Sequence, residues 1–240
     1  MEEEPLEEEL EEEIETIPPP ENLMGTIALN NGKSAVMDLQ VESSSGNVSA
    51  ADSRSASVST PRATAGVTGT VRYDGDDYVI GGLYDDETGE LDIIAENTAG
   101  QRFVFSGTYT SGTGFSGTVV LYDSDLTTVI TQGSVSTAEV SDSDRGTVQI
   151  FTGTFGGDYW GTWNGTLTSD SFNGTYAYYG DSQPAGSVFG TRSGSVITVT
   201  KITGLESGST VTAGGSVSGS NLNGWWDGNW TDGTVTEYFN

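Results

Sequence analysis

The chain has 240 residues, with 35 acidic side chains against eight basic ones and a net charge of −27. A surface of that sign repels phosphate backbones and anionic headgroups, which excludes nucleic acid and direct membrane-surface binding as functions. It contains no cysteine and no histidine, so disulfides, thiolate metal sites and the commonest general base are excluded as well.

Residues 1–22 stand apart from the rest. Eleven glutamates fall within the first 21 positions, and Leu6, Leu10, Ile14 and Ile17 set one apolar stripe at helical spacing among them. Pro18, Pro19 and Pro20 stop that pattern and extend it as a spacer. Like charge along the run weakens a helix, so the segment reads as an acidic tether more than as a docking helix. Met1 directly before the acids suits a chain whose export signal has been removed. No apolar run approaches the roughly 18 residues of a membrane helix. The expected location is extracellular or at the cell surface of an exporting, bacterial cell.

From residue 23 the apolar period changes to two. Residues 24–30 and 34–41 flank Asn31-Gly32, a dipeptide that supplies the positive φ angles of a type I′ hairpin turn. Residues 42–63 are rich in Ser and Ala and read as a linker. The expected organisation is a tether over 1–22, a hairpin and linker over 23–63, and a Gly-Thr-rich antiparallel domain over 64–240. The acidic stretch 141–144 is either a loop of that domain or a subdivision of it.

A five-residue repeat dominates residues 64–240. Val67-Thr-Gly-Thr-Val71, Phe105-Ser-Gly-Thr-Tyr109 and Phe115-Ser-Gly-Thr-Val119 are its first copies. Phe151-Thr-Gly-Thr-Phe155, Tyr159-Trp-Gly-Thr-Trp163, Trp163-Asn-Gly-Thr-Leu167 and Phe172-Asn-Gly-Thr-Tyr176 continue it. In a strand, alternate residues share a face, so each copy sets large, Gly, large inward and Thr outward toward water. Gly between two bulky neighbours lets a strand curve or lets a ring from the next strand lie over it. Connections of three to five residues between copies permit only hairpins, which makes an up-and-down meander. Further strands are expected near 78–83, 89–95, 101–109, 127–137, 194–203, 209–218 and 229–238. The fold class is therefore all-β: an antiparallel meander forming a barrel or strongly curved sheet, behind an acidic N-terminal tail.

All five tryptophans lie between Trp160 and Trp230. Tyr159, Trp163 and Leu167 share a face and read as core. Trp160 points to the other face, as does Tyr179 relative to Tyr176, and of the adjacent Trp225 and Trp226 one must face away from the other. Aromatic faces beside Asn and Asp stack on sugar rings or edge a cavity, so Trp160, Tyr179, Trp225, Trp226 and Trp230 are the candidate ligand-binding residues. Plain packing is the competing reading of the same rings.

Acidic loops form the second candidate. Asp74, Asp76 and Asp77, with Asp85 and Asp86, place carboxylates close enough in sequence to share a calcium ion, the one cofactor the chain suggests. Asp-Gly is equally a turn dipeptide. No pair of acids is singled out for glycosidase chemistry, and Lys33 and Lys201 lack a nucleophile motif, so no catalytic residue is assigned. The sequons at Asn47, Asn164, Asn173 and Asn229 arise readily in Asn-Gly-Thr hairpins and carry no inference of glycosylation.

The Gly-Thr-Trp and Phe-Asn-Gly-Thr-Tyr segments within 159–179 resemble the opening strands of calycin-type barrels such as avidins and lipocalins. They are also similar to barrel lobes of bacterial surface lipoproteins of the transferrin-binding-protein kind, a comparison the acidic tether favours and which implies a lipid anchor before it. The likeness covers the last 90 to 100 residues or so, and no family ligand contact maps onto a residue here.

These readings converge on a non-enzymatic binding protein whose aromatic-rich surface recognises a glycan, a small amphiphile or a host protein. The alternative is a structural or adhesive β-module stiffened by calcium, with a carboxylate glycoside hydrolase as the remotest reading. A binder requires Trp160, Trp225 or Trp226 partly exposed around one concavity. A structural module buries or scatters them.

Overall fold

The structure, a computed structural model, describes residues 20, 22–42, 64–156, 160–178, 186–204 and 212–226, together with the backbone of 229–238. The tail over 1–19 and the linker over 43–63 lie outside them, as do Asn47 and Tyr179.

Among the described residues sixteen strands make two closed barrels of eight, each a meander in which every strand pairs antiparallel with its sequence neighbours. The first barrel is β1 (Asn22–Leu29), β2 (Ser34–Val41), β3 (Thr64–Tyr73), β4 (Asp76–Asp85), β5 (Leu91–Glu96), β6 (Arg102–Thr110), β7 (Gly114–Tyr122) and β8 (Val129–Glu139), closed by β8 on β1. The second is β9 (Gln149–Gly156), β10 (Gly161–Leu167), β11 (Ser171–Tyr178), β12 (Gly186–Ser193), β13 (Val196–Ile202), β14 (Ala213–Ser218), β15 (Asn221–Trp226) and β16 (Asn229–Tyr238), closed by β16 on β9.

The N-terminal hairpin is not a unit separate from the Gly-Thr-rich strands. β2 pairs with β3 from Ala35↔Tyr73 to Val41↔Val67, across the whole Ser-rich stretch, so the hairpin is the first quarter of the first barrel. The division falls instead at 140–148, between Glu139 and Gln149, where the acidic stretch lies. A short 3-10 turn, Arg145–Thr147, sits in this connection. Arg145 pins it to the first barrel through Asp38 (2.5 Å) and the Asn22 side-chain oxygen (3.1 Å).

The turn after β1 also differs from expectation. Only Gly32 has positive φ (79°), and Leu29 N–H closes onto the Lys33 carbonyl while the Asn31 side chain accepts from Lys33 N–H. The type I′ signature sits at Asp74-Gly75, where both φ values are positive (55° and 90°).

The first barrel is filled. Tyr73, Tyr78 and Phe103 meet edge-on or tilted at 4.9 to 6.4 Å, and Tyr84 packs against Tyr109 at 5.8 Å. Leu23, Ile27, Leu29, Met37, Leu39, Phe115 and Leu121 complete a continuous interior. Burial of such side chains contributes about 1.5–3 kcal/mol each, which is what holds a sheet closed without disulfides.

The barrels pack wall to wall, β1 and β8 against β10, β11 and β12. Here the outward residues are small: Thr26, Ala28, Ser134 and Ser136 face Asn164, Thr166, Asn173, Thr175 and Ala177, all buried. The repeat alone points its outward Thr at water, but in β10 and β11 those positions meet the other barrel. Met24, Ala138, Val140, Val148 and Ile150 form a separate apolar cluster spanning the two units.

Candidate ligand-binding site

The inward face of the second barrel follows the large-Gly-large repeat. Phe151, Phe155, Trp163, Leu167, Phe172 and Tyr176 point in, and between them stand Gly153, Gly161, Gly165 and Gly174. The glycines do two different things. A Cβ on Gly165 would lie 2.3 Å from the Phe172 ring, and one on Gly161 2.4 Å from Phe155, so rings lie directly over these two backbones. Glycines also face glycines across strands, Gly165↔Gly174 and Gly215↔Gly224, and Gly174, Gly215 and Gly224 border free space.

The result is a cavity inside the second barrel. Its free volume is about 80 Å³, and it opens to solvent. By the measure in which one water needs roughly 10–15 Å³, it takes several waters or one small ring system. Val188, Ile197, Val199, Leu222, Phe172 and Trp163 are among the residues lining it, and among the described residues none that lines it is charged.

The opening is set by strand pairing. β13 and β14 are in register over only three pairs, Val196↔Ser216 to Thr198↔Gly214, while β13 runs on to Ile202 beside β12. A register shift between Phe189 and Gly190 bends that neighbour as well. Val199 and Ile202 thus part from Ala213, and all three line the cavity.

Four rings gather at this end. Trp226 lies 5.2 Å from both Phe155 and Tyr176 and 6.0 Å from Tyr178, which is itself 5.5 Å from Phe155. The Tyr176 hydroxyl donates to the Thr203 carbonyl at 2.7 Å, and burial pushes its pKa well above the usual tyrosine value. That phenol is therefore neutral and already engaged, leaving its ring face as what a ligand meets.

The aromatic candidates divide between rim and interior. Trp226 is half-buried in the ring cluster, whereas Trp225 is 50% exposed with its ring over Gly214, and both border the cavity. Trp160, 57% exposed, precedes β10 at the same end. The Trp230 backbone pairs with Trp225 on one side and Gly156 on the other; its side chain lies outside the described residues, as does all of Tyr179. Chain topology thus brings four of the five tryptophan positions to one rim, while Trp163 lies inside. Composition located the aromatics but missed the aliphatic wall of Val188, Ile197, Val199 and Leu222. Its only signal was the Gly-poor alternation of β13.

Among the acidic candidates Asp74, Asp85 and Asp86 lie at turns, whereas Asp76 and Asp77 begin a strand. Asp74 pairs with Lys33 at 2.6 Å, raising the lysine's pKa through that hydrogen bond, and Asp77 pairs with Arg72 at 3.4 Å. Asp85 accepts from the N–H groups of Glu87 and Thr88. Asp76 opens β4, and Asp86 follows its end. Among the described residues no three acidic side chains converge as an ion site requires. The sequon residues Asn164 and Asn173 are 4% and 3% exposed, inside the barrel interface.

No protein-family model, curated protein or solved structure matches the chain. The cavity's own chemistry carries the functional reading.

Proposed function

We propose that the chain is a non-enzymatic binding protein, exported to the cell exterior or surface, whose second barrel holds a small uncharged amphiphile. The observation that carries this is the half-open cavity with aliphatic and aromatic walls in one barrel of two built on the same plan. Trp225, exposed where it borders that concavity, and Trp160, exposed at the same end of the barrel, fit a binder better than a structural module, which would bury or scatter them. The absence of charge among its described lining residues favours a neutral ligand, because an anion would be desolvated there with no cation to receive it. A net charge of −27 acts in the same direction over longer range. The rings at the rim suit a ligand whose polar end emerges there.

The test is fluorescence titration with neutral N-phenyl-naphthylamine and with anionic anilinonaphthalene sulfonate. One neutral probe binds per chain, quenching tryptophan, and the anionic probe binds at least tenfold more weakly. Val199→Phe, which fills the wall, weakens the neutral probe about tenfold with the fold intact by circular dichroism. Equal binding to wild type and Val199→Phe places the probe elsewhere and refutes the cavity reading.

A further inference from the structure

The first barrel carries an apolar face on the side away from its partner barrel. β1 and β8 are covered by the second barrel, whereas β4, β5 and β6 face out. On that outer surface Val79 is 67% exposed, Leu83 37%, Ile94 37% and Val104 38%. Single exposed aliphatics are ordinary, but these four are contiguous. Gly81↔Ile94 and Ile94↔Val104 are register pairs, Val104↔Val120 extends the row onto β7, and Val79 and Leu83 flank Gly81 along β4. Gly81 is the floor of this patch, and a Cβ added there meets nothing within 4 Å. The face is therefore a shallow notch between Val79, Leu83 and Ile94, open to a side chain from outside.

Charge around the notch decides what fills it. Asp92 stands opposite Leu83 and Glu96 opposite Val79. The two arginines nearby are already held by acids, Arg72 by Asp77 at 3.4 Å and Arg102 by Glu96 at 2.5 Å. A second copy of this chain would bring 35 more acids against eight bases. The chain's own first 21 residues bring eleven glutamates. Anionic lipid is repelled for the same reason. The complementary occupant is apolar at its centre and basic at its rim.

We infer that the β4–β6 face of the first barrel docks a basic amphipathic segment of a partner protein, with one aliphatic side chain seated over Gly81 and a lysine or arginine meeting Asp92. Apolar contact supplies the affinity, and the acidic rim adds specificity and speeds encounter.

The experiment uses the full chain and a short synthetic leucine–lysine amphipathic peptide, titrated by anisotropy at about 0.15 M salt, where the screening length of about 8 Å damps long-range attraction. Two variants are compared with wild type. The first is the triple Val79→Thr, Ile94→Thr, Val104→Thr, which keeps charge and β-branching. The second is Gly81→Trp, which fills the notch from a backbone position with open space around it. Each is expected to weaken the peptide about tenfold with unchanged circular dichroism, and a peptide with glutamine in place of leucine binds wild type no better than the variants. Equal affinity across all three proteins overturns the inference, since net charge alone would then explain binding. Concentration-dependent dimers in sedimentation, abolished by the same variants, overturn it by assigning the face to a second copy. Wild-type binding to anionic vesicles, lost in the triple variant, overturns it in favour of a membrane.

Discussion

Three buried phenols make the chain's response to alkali a residue-scale property. Burial raises Tyr84, and the carboxylates of Asp86 and Asp85 add to it, pushing the group up to about 12. Tyr109 rises further, through burial first and then its 2.8 Å hydrogen bond to Glu139. Tyr176 rises through burial, with Tyr178 beside it. A raised phenol pKa means that the folded state keeps protons which the unfolded chain releases near 10. The stability these groups contribute is therefore complete below about pH 10 and is lost as pH climbs toward their folded values. Among ten tyrosines, absorbance titration at the phenolate band should show an exposed class ionising near 10. A delayed class of at least three should ionise only as near-ultraviolet dichroism disappears. A single midpoint for all ten with the dichroism retained would show these rings to be solvent-accessible.

At the scale of elements, the β10–β11 wall serves two faces at once. Inward it supplies Trp163, Phe172 and Tyr176 to the cavity; outward it supplies the side chains on which the first barrel sits. Asn173 donates across to the Thr113 and Thr137 carbonyls, whereas the Thr166 and Thr175 hydroxyls are buried without a hydrogen-bond partner. The two kinds of polar group should respond oppositely. Asn173→Ala strands two carbonyls and should cost about 1–3 kcal/mol in denaturant unfolding. Thr175→Val removes a hydroxyl that has nothing to bond and should be neutral or stabilising by up to about 1 kcal/mol. A loss of more than about 1 kcal/mol in Thr175→Val would mean that this hydroxyl has a partner after all.

That wall also marks what was legible in the sequence. Period-two alternation and the Gly-Thr repeat placed fourteen of the sixteen strands, because a half-buried strand must alternate. β12 (Gly186–Ser193) and β15 (Asn221–Trp226) escaped, since Gly, Ser and Asn dilute their apolar positions and only the neighbouring strands hold them. Two closures instead of one were not legible. The repeat runs on both sides of 140–148, and closure depends on β8 finding β1, a pairing more than a hundred residues apart that no local pattern records. Thr166 and Asn173 look like surface residues by composition, and only the second barrel's position buries them. The aromatic rim was readable because tryptophan is rare and concentrated, while the void beneath it is made by facing glycines such as Gly215 and Gly224, whose register needs the fold.

For the whole molecule, the open question of physics is whether two barrels behave as one cooperative unit. Each is large enough to fold alone, so size does not decide it. The interface does. Met24 and Ala138 from the first barrel share an apolar cluster with Ile150 of the second, and Asn164 and Asn173 reach across to backbone carbonyls. Separating the barrels would expose that cluster and break those bonds together, which favours a single transition. The tryptophans allow a clean measurement, because all five lie in the second barrel and none in the first. Tryptophan emission therefore follows one barrel, and far-ultraviolet dichroism follows both. Coincident denaturant midpoints are expected. Saturating the cavity with the neutral probe at about a hundred times its Kd should stabilise by about 2.7 kcal/mol and move both signals equally. If emission alone shifts while part of the dichroism stays in place, the barrels unfold separately, and the interface positions two independent modules without linking their stabilities.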